Sequence, residues 1–226
     1  MKIVTWNING IKARIEGALT YLKEAQPDVV CLQEIKSVDE GFPREAIEDA
    51  GYQVATHGQK GFNGVAILAK GAAPELRLVG LPGDPDDTHS RYIEAEVGGV
   101  IVASIYLPNG NPVGTEKFPY KLRWMERLRA RAQELLALER PVVLAGDYNV
   151  IPEDRDTFSR RAMADDALFQ PESQQAFRRI VNLGYTDALR ALHPDAEKLW
   201  TFWYYQAGAW QRDAGFRIDH LLCSPQ

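Results

Sequence analysis

The chain has 226 residues, of which 45% are hydrophobic and 25% charged, and its formal net charge at pH 7 is -5. This length can bury one large core, and the net acidity excludes a uniformly basic nucleic-acid binder while leaving room for a local basic face. No apolar stretch approaches the roughly 20 residues of a membrane span, and Met1–Trp6 reads as a strand rather than a signal peptide. No membrane association and a cytoplasmic location are therefore expected.

Cys31 and Cys223 lie in apolar runs and are interpreted as reduced core residues.

The first elements alternate between strand and helix. Residues 3–4 begin a strand, and apolar residues at helical spacing predict a helix over 11–22, before Pro27. A buried strand is predicted over 29–32, followed by a short helix between Pro43 and Gly51. The start of the chain therefore has the pattern of an α/β protein.

Strand pairs dominate the next segment. Residues 52–57 and 64–69 flank a polar loop, while 92–97 and 100–106 are separated only by Gly98 and Gly99. A two-residue glycine connection is typical of a tight β-hairpin, so these strands are predicted to pair antiparallel.

Helices and strands alternate again toward the C-terminus. A loop over 108–119 precedes a predicted amphipathic helix, residues 142–145 form a short buried strand, and a helix over 177–183 ends at Gly184. An aromatic segment over 200–205 and a last strand over 218–223 complete the chain. The apolar face of the long helix consists of Leu122, Met125, Leu128, Ala132, Leu135 and Leu136.

Hairpins combined with crossover helices predict an α/β fold. We expect a four-layer α/β sandwich, in which two mixed β-sheets pack face to face under outer helices. The sequence contains no repeat or low-complexity linker, so residues 1–226 are expected to form a single domain and to act as a monomer.

Polar side chains collect where the predicted strands end. In a layered α/β fold such positions converge on one rim, where carboxylate and amide oxygens can hold a hard cation. Oxygen ligands without a cysteine or histidine cluster favour Mg²⁺, with Mn²⁺ as a substitute, and Mg²⁺ suits phosphate chemistry. Taken singly, each of these residues is more typical of a turn or a helix cap. The set comprises Asn7, Glu34, Tyr106, Asp147, Asn149 and Asp219.

Six short motifs in a fixed order give these residues a shared context. They span nearly the whole chain, and their order and spacing resemble those of the exonuclease III family of abasic-site endonucleases, within the endonuclease/exonuclease/phosphatase superfamily. Each motif is weak alone, but six in order form a strong signal. The motifs are Trp6-Asn7-Ile8-Asn9-Gly10, Leu32-Gln33-Glu34, Gly61-Phe62-Asn63-Gly64-Val65, Tyr106-Leu107-Pro108-Asn109-Gly110, Gly146-Asp147-Tyr148-Asn149 and Arg217-Ile218-Asp219.

The resemblance implies a role for each polar residue. Glu34 is the principal metal ligand, Asn7 lies beside it, and Asp147 contributes to the metal site while aligning or activating the attacking water. Asn149 and Tyr106 contact the scissile phosphate, Asn109 lies near the neighbouring backbone, and Asp219 belongs to the catalytic set. The implied reaction is hydrolysis of a phosphodiester 5′ of an abasic site, together with removal of 3′-terminal nucleotides or blocking groups from duplex DNA.

Substrate selection is assigned to aromatic and basic residues. Phe202 and Phe216, with Ile218 alongside, are predicted to form a pocket for a flipped sugar without a base. Trp203 is interpreted as a core residue. Phosphate contacts with double-stranded DNA are predicted for Lys60, Lys117, Lys121, Arg160 and Arg161, although isolated surface cations are usually only solvated.

The chain departs from the family pattern at its end. Family members continue for a few tens of residues to a Ser-Asp-His motif, whereas this sequence ends at Gln226, so the domain is expected to be truncated at its C-terminus. The chain as written is expected to hydrolyse abasic DNA far more slowly than one carrying that segment. A naturally shortened protein is the alternative to an incomplete sequence. Adjacent strand residues point to opposite faces, so His220 is interpreted as structural if Asp219 faces the site.

Two other functions are compatible with the same residues. Phosphatases of lipid or inositol phosphates in the superfamily share the Asn, Glu and Asp site, and a catalytically impaired module could bind damaged DNA through the same face. The aromatic residues Phe202 and Phe216 favour DNA. The dependence of product formation on metal distinguishes an enzyme from a binding module.

Overall fold

A computed structural model describes all residues from Met1 to Gln226. The chain forms two compact units. The first comprises Met1–Tyr106, Glu139–Asp147 and Gln226, and the second comprises Leu107–Leu138 and Tyr148–Pro225. Among the helices, none combines the length and the apolar character that a membrane span requires.

The first unit contains one mixed four-stranded sheet and four strands of a second mixed sheet. In the first sheet β1 pairs parallel with β2, and β4 pairs antiparallel with both β2 and β3. In the second, β5, β6 and β7 pair antiparallel in sequence and β8 joins β7 in parallel. The elements are β1 (Ile3–Asn7), α1 (Ile15–Ala25), β2 (Val29–Gln33), α2 (Arg44–Asp49), β3 (Tyr52–His57), β4 (Val65–Lys70), β5 (Glu75–Val79), β6 (Tyr92–Val97), β7 (Val100–Tyr106) and β8 (Val142–Asp147).

The two sheets pack face to face, and strands β1, β2 and β4 contact β6, β7 and β8. A buried polar link crosses this packing, since Gln33 Nε2 lies 3.2 Å from Ser104 Oγ, which donates to the carbonyl of Leu32 at 2.9 Å. Helices α1 and α2 contribute Ala18, Leu22 and Ile47 to the core on the other side of the first sheet. The predicted α/β sandwich with two mixed sheets is confirmed.

The tight hairpin between β6 and β7 has the predicted connection. Val97 pairs with Val100, and the intervening Gly98 and Gly99 have φ angles of +56° and +83°. Two successive residues with positive φ suit the right-handed twist of a hairpin and favour glycine at both positions. Strand β5 was missed because its side chains are mostly exposed and its register with β6 shifts between Leu76 and Leu78.

The second unit is built around two long helices, α3 and α5, which pack against each other. Helix α3 begins at Lys117, so the predicted loop to Pro119 is too long; proline is tolerated in the first helical turn. Helix α5 begins at Pro171 rather than near Phe177 because a proline at the first helical position is favourable. The elements of this unit are α3 (Lys117–Leu136), α4 (Arg160–Met163), α5 (Pro171–Val181), β9 (Thr186–Asp187), α6 (Ala188–Leu192), β10 (Phe202–Trp203), β11 (Gly215–Phe216) and β12 (Asp219–Cys223).

A buried ion-pair network anchors the short strands of this unit. Arg217 follows β11 and binds Asp156 in a bidentate manner, with Nε–Oδ1 and Nη2–Oδ2 distances of 2.8 and 3.0 Å. Its Nη1 donates to Asp187 Oδ2 at 2.7 Å, and Arg190 Nη2 donates to Asp156 Oδ1 at 2.8 Å. The network therefore connects the loop at residue 156, the junction of β9 with α6, and the segment between β11 and β12.

Candidate active site

Three predicted site residues meet at the ends of strands in the first unit. Asn7 ends β1, Glu34 follows β2 and Asp147 ends β8. The Asn7 amide Nδ2 donates to Glu34 Oε1 at 2.8 Å and to Asp147 Oδ2 at 2.9 Å. One amide thus bridges two carboxylates that are 113 positions apart in the sequence (147 − 34).

Glu34 is held in a backbone conformation that few residues adopt. Its φ angle is +50°, and non-glycine residues in the left-handed region are concentrated at turns and functional sites. The Lys36 ammonium lies 3.0 Å from Glu34 Oε2 and also donates to Asn9 Oδ1 at 2.5 Å. Burial opposes ionisation of Glu34, but hydrogen bonds from Asn7, Lys36 and Tyr106 outweigh it and hold the pKa of this carboxyl below its usual value.

Tyr106 ends β7 and donates its hydroxyl to the Glu34 carboxylate. Burial, together with the nearby charges of Glu34 and Asp147, raises the pKa of Tyr106 far above its usual value. The Arg91 guanidinium lies 5.0 Å from the centre of the Tyr106 ring and donates to the Tyr106 carbonyl at 3.3 Å. Tyr106 therefore remains a neutral hydrogen-bond donor at physiological pH.

A glycine lets Asp147 reach this position. Gly146 lies opposite Ile105 in the parallel pairing of β7 with β8, and a Cβ at residue 146 would lie 2.1 Å from the Ile105 carbonyl oxygen. No side chain fits in that space. The glycine of the Gly146-Asp147 motif is thus required for close approach of the two strands.

The donor set of this cluster suits a hard cation. Two carboxylates and one amide supply oxygen ligands, and no group of three or more His, Cys, Asp or Glu residues is arranged to hold a metal ion. Magnesium is commonly held by only one or two carboxylates, with water and substrate phosphate completing its coordination. Glu34 and Asp147, with Asn7 between them, therefore fit Mg²⁺ better than a zinc site of histidine and cysteine.

Within the second unit, Asn109 and Asn149 contact each other. Asn109 Nδ2 donates to Asn149 Oδ1 at 3.3 Å, and Asn149 Nδ2 donates to the Leu107 carbonyl at 2.8 Å. Asn149 has a φ angle of +49°, which again places a predicted site residue in the left-handed region. Its side chain is buried and its orientation is fixed, whereas Asn109 is exposed.

Lys121 does not fit the predicted role of a phosphate contact. Its side chain is fully buried, and the ammonium donates to the carbonyls of Asn109 at 3.1 Å, Asn149 and Ala167 at 3.4 Å. The prediction failed because α3 begins before Pro119 and carries residue 121 toward the core of its unit. Lys121 instead fixes the backbone that presents Asn109 and Asn149.

Asp219 and His220 begin β12 and differ in exposure as the strand alternation predicts. Asp219 is half-buried and His220 is buried. His220 Nε2 lies 2.9 Å from the Val150 carbonyl, and its Nδ1 lies 3.2 Å from Arg217 Nη1. Since Arg217 can only donate, Nδ1 accepts and Nε2 carries the proton. Burial and the adjacent Arg217 charge lower the pKa of His220 to about 4, which agrees with a structural role.

The aromatic residues of the predicted sugar pocket lie together. Phe202 and Phe216 are register partners of β10 and β11, with ring centres 5.1 Å apart. Tyr204 packs edge-on against both, with its ring centre 5.6 Å from Phe202 and 5.2 Å from Phe216. Ile218 belongs to the same apolar cluster. Phe216 and Ile218 are buried, and Phe202 is half-buried.

The remaining predicted DNA contacts are on the surface. Lys60, Lys117, Arg160 and Arg161 are all exposed. Arg160 forms a solvent-exposed ion pair with Asp154 at 3.0 Å, an interaction weak enough to be exchanged for another anion. Their exposure is compatible with phosphate contacts, which remain a prediction.

Lys36 and Arg91 were not identified from the sequence. Each contacts a predicted site residue, Lys36 through Glu34 and Arg91 through Tyr106. Lys36 follows Glu34 by two positions, so proximity to a motif was a possible signal. Arg91 lies opposite Tyr106 in the register that the two-residue Gly98-Gly99 turn sets, so the predicted hairpin was a possible signal.

The sequence matches known proteins along nearly its whole length. The profile described as "Endonuclease/Exonuclease/phosphatase family" matches residues 4–226. An exodeoxyribonuclease from Bacillus subtilis is 34% identical over 99% of this chain and 88% of its own, and exodeoxyribonuclease III from Haemophilus influenzae is 35% identical with the same coverage.

Solved structures give a concordant result. An AP endonuclease from Archaeoglobus fulgidus superposes with a TM-score of 0.94 at 37% identity, covering 100% of this chain and 87% of the other. The Neisseria 3′ phosphatase NExo, solved with a product DNA hairpin, has a TM-score of 0.95 at 35% identity and the same coverage.

Proposed function

This chain belongs to the endonuclease/exonuclease/phosphatase family, and we propose that it is a DNA repair nuclease of the exonuclease III type. It hydrolyses the phosphodiester 5′ of an abasic site and removes 3′-terminal nucleotides or blocking groups from duplex DNA. The relatives named as exodeoxyribonucleases and as an AP endonuclease support both activities, and the 3′ phosphatase supports the removal of 3′ blocking groups.

The observation that carries this proposal is the bridging of Glu34 and Asp147 by Asn7. The cluster concentrates negative charge at strand ends, where it would repel a phosphodiester unless a cation intervened. Asn7 orients both carboxylates, and Lys36 holds the second oxygen of Glu34. The cluster is therefore organised before substrate arrives, as catalysis by positioned charges requires.

Glu34 and Asp147, with Asn7, are the residues that would hold Mg²⁺. When bound, the ion would supply Lewis-acid stabilisation of the negative charge that develops on the phosphate. Mn²⁺ is the expected substitute because it prefers similar oxygen ligands.

The surrounding residues have separate roles toward the phosphodiester. Asp147 aligns or activates the attacking water, while the neutral Tyr106 hydroxyl contacts the scissile phosphate. Asn149 contacts the same phosphate, Asn109 contacts the adjacent backbone, and Asp219 completes the catalytic set. Lys121 acts on the substrate only indirectly, by fixing the main chain at Asn109 and Asn149.

Phe202, Phe216 and Ile218 select the substrate. A sugar without a base is small enough to enter an apolar aromatic pocket, whereas an intact nucleotide carries a bulky base that the same walls exclude. Lys60, Lys117, Arg160 and Arg161 contact phosphates of the duplex, so that affinity decreases as salt concentration rises. The chain acts as a monomer.

The test is cleavage of an end-labelled duplex that contains a single abasic site. The expected result is a nick 5′ of the site in Mg²⁺, no product in chelator, and loss of cutting in Glu34→Gln and Asp147→Asn. Both substitutions keep the shape of the side chain, so loss of cutting with an unchanged unfolding transition reports on chemistry. Full activity of either variant would overturn the assigned roles.

The same experiment separates the alternatives. A module that only binds damaged DNA would retain abasic-duplex affinity in chelator and yield no product in Mg²⁺. A phosphatase of inositol phosphates would release phosphate from those compounds and leave the duplex intact.

A further inference from the structure

The candidate active site is assembled from two different sheets. Asn7 ends β1 and Glu34 follows β2 in the first sheet, whereas Tyr106 ends β7 and Asp147 ends β8 in the second. The hydrogen bonds from Asn7 to Asp147 and from Tyr106 to Glu34 therefore cross from one sheet to the other. The separation of the two carboxylates depends on how one sheet is aligned over the other.

Apolar contacts between the sheets do not define this alignment closely. Cys31 and Val102 lie two residues before Gln33 and Ser104, so they share the inner faces of the two sheets with them, and both are fully buried. Hydrophobic attraction is non-directional, so it holds the sheets together without favouring a single alignment. A buried hydrogen bond depends on distance and angle, and it therefore selects one arrangement.

A closed polar link of three side chains, Thr5, Gln33 and Ser104, lies within this apolar interface. The Gln33 amide Nε2 donates to Ser104 Oγ at 3.2 Å and to the Cys31 carbonyl at 3.0 Å, and Gln33 Oε1 accepts from Thr5 Oγ1 at 3.3 Å. Ser104 Oγ donates to the Leu32 carbonyl at 2.9 Å. Gln33 and Ser104 are fully buried, and every amide and hydroxyl hydrogen of the polar link has an acceptor. A buried network that is fully satisfied in this way is rigid and specific.

The polar link lies beside the site in both sheets. In the first sheet, Gln33 directly precedes Glu34 and pairs with Asn7. In the second sheet, Ser104 lies two residues before Tyr106 and on the same face of β7. Two residues of a strand span roughly 7 Å, so a displacement of the sheets at the polar link also displaces the side chains of the site.

We propose that Gln33 and Ser104 are positioning residues, which set the alignment of the two sheets and thereby the separation of Glu34 from Asp147. Neither residue touches the substrate or the cation. The inference rests on the proposed function, since the alignment matters to the reaction only if both carboxylates act at one cation. A misplacement of about 1 Å can reduce the rate about a hundredfold, and loss of an outer partner of a metal site typically reduces metal affinity about ten- to a hundredfold.

Removal of both partners separates alignment from stability. Ser104→Ala alone leaves an amide hydrogen of Gln33 buried without an acceptor, which destabilises the fold. The double variant Gln33→Met/Ser104→Ala replaces both partners by apolar groups, so no unpaired amide remains and the stability should recover toward that of the wild type. If the polar link only stabilises the fold, activity should recover together with stability. If it aligns the sheets, activity should stay low.

Three measurements are made on the wild type, Ser104→Ala and the double variant. They are the kinetics of cleavage of an abasic duplex in Mg²⁺, Mn²⁺ binding by calorimetry in the absence of DNA, and the midpoint of urea denaturation. In the double variant we expect kcat to fall roughly tenfold, KM to change less than about twofold, and the dissociation constant of Mn²⁺ to rise roughly tenfold. Its urea midpoint should be higher than that of Ser104→Ala.

Val102→Ala is the matched control. Val102 lies on the same face of the same strand as Ser104, and its truncation loosens the apolar packing without removing a hydrogen bond. This variant should have a lower urea midpoint with unchanged kcat and unchanged Mn²⁺ affinity. An equal loss of Mn²⁺ affinity in Val102→Ala would overturn the proposal, because any weakening of the interface would then suffice.

The Mn²⁺ titration distinguishes failure of this inference from failure of the proposed function. Absence of cleavage by the wild type refutes the nuclease function, whereas Mn²⁺ affinity is measured without DNA and does not depend on which substrate is cut. Weaker Mn²⁺ binding by the double variant at a recovered urea midpoint supports the positioning role. Wild-type kcat and Mn²⁺ affinity in the double variant refute it. If Ser104→Ala does not fold, the double variant still provides the comparison with the wild type.

Discussion

Removal of the Asp156 carboxylate tests how the second unit holds its aromatic pocket. Asp156 is fully buried and accepts from the guanidinium groups of Arg217 and Arg190. Arg217 lies between Phe216 and Ile218, and its backbone N–H donates to the Asp156 carbonyl at 2.9 Å. The ion pair therefore fixes the strand segment that presents the pocket residues.

The expected loss can be worked out from this arrangement. Asp156→Ala leaves the buried Arg217 with Asp187 as its remaining carboxylate and removes the anion that faces Arg190. Breaking one partner of a buried ion pair typically costs about 3–5 kcal/mol, because the surviving charge stays desolvated. That is a large part of the stability of a typical domain, which is about 5–15 kcal/mol.

Urea denaturation followed by circular dichroism measures this change. With a slope of about 3 kcal/mol/M, the midpoint should fall by roughly 1–2 M. Asp154→Ala is the control, since Asp154 forms only the exposed pair with Arg160 and should change stability little. A midpoint for Asp156→Ala within the error of the control would refute the role of the buried pair.

Four further outcomes follow from the same unit. The free energy of unfolding of the wild type should fall by up to about 3 kcal/mol as the pH decreases from 6.5 to about 4, because the unfolded chain protonates His220 before the folded chain does. Urea titrations at each pH measure this change, and the contribution of residue 220 to it should be absent in His220→Gln. Lys121→Met should lower the free energy of unfolding by roughly 1–3 kcal/mol, because the carbonyls of residues 109, 149 and 167 lose their donor; unchanged stability would contradict the buried role. Lys117→Ala should weaken duplex binding, and in fluorescence titrations the slope of the logarithm of the binding constant against the logarithm of the salt concentration should become shallower by about 1. A fall in the free energy of unfolding at constant affinity would instead assign Lys117 a structural role. Phe202→Ala should increase cutting at intact nucleotides relative to abasic sites, compared in one gel, since it opens a wall of the proposed pocket.

Local patterns in the sequence determined much of the fold. Alternation and apolar runs predicted β2, β4 and the β6–β7 hairpin, because each signal depends on residues adjacent in the chain. Strand β5 escaped prediction because its exposed side chains lack a buried face. The start of α3 was misplaced because Pro119 reads locally as a helix breaker, yet it lies in the first helical turn, where its missing N–H costs little.

The candidate site divides in the same way. The sequence by itself identified Asn7, Glu34 and Asp147, since motif order and residue chemistry are properties of the chain. Only the tertiary structure decided that one Asn7 amide joins both carboxylates and that Lys121 is buried rather than exposed. Hydrogen bonds and burial depend on which strands become neighbours, and pairing across more than a hundred residues leaves no local pattern in the sequence.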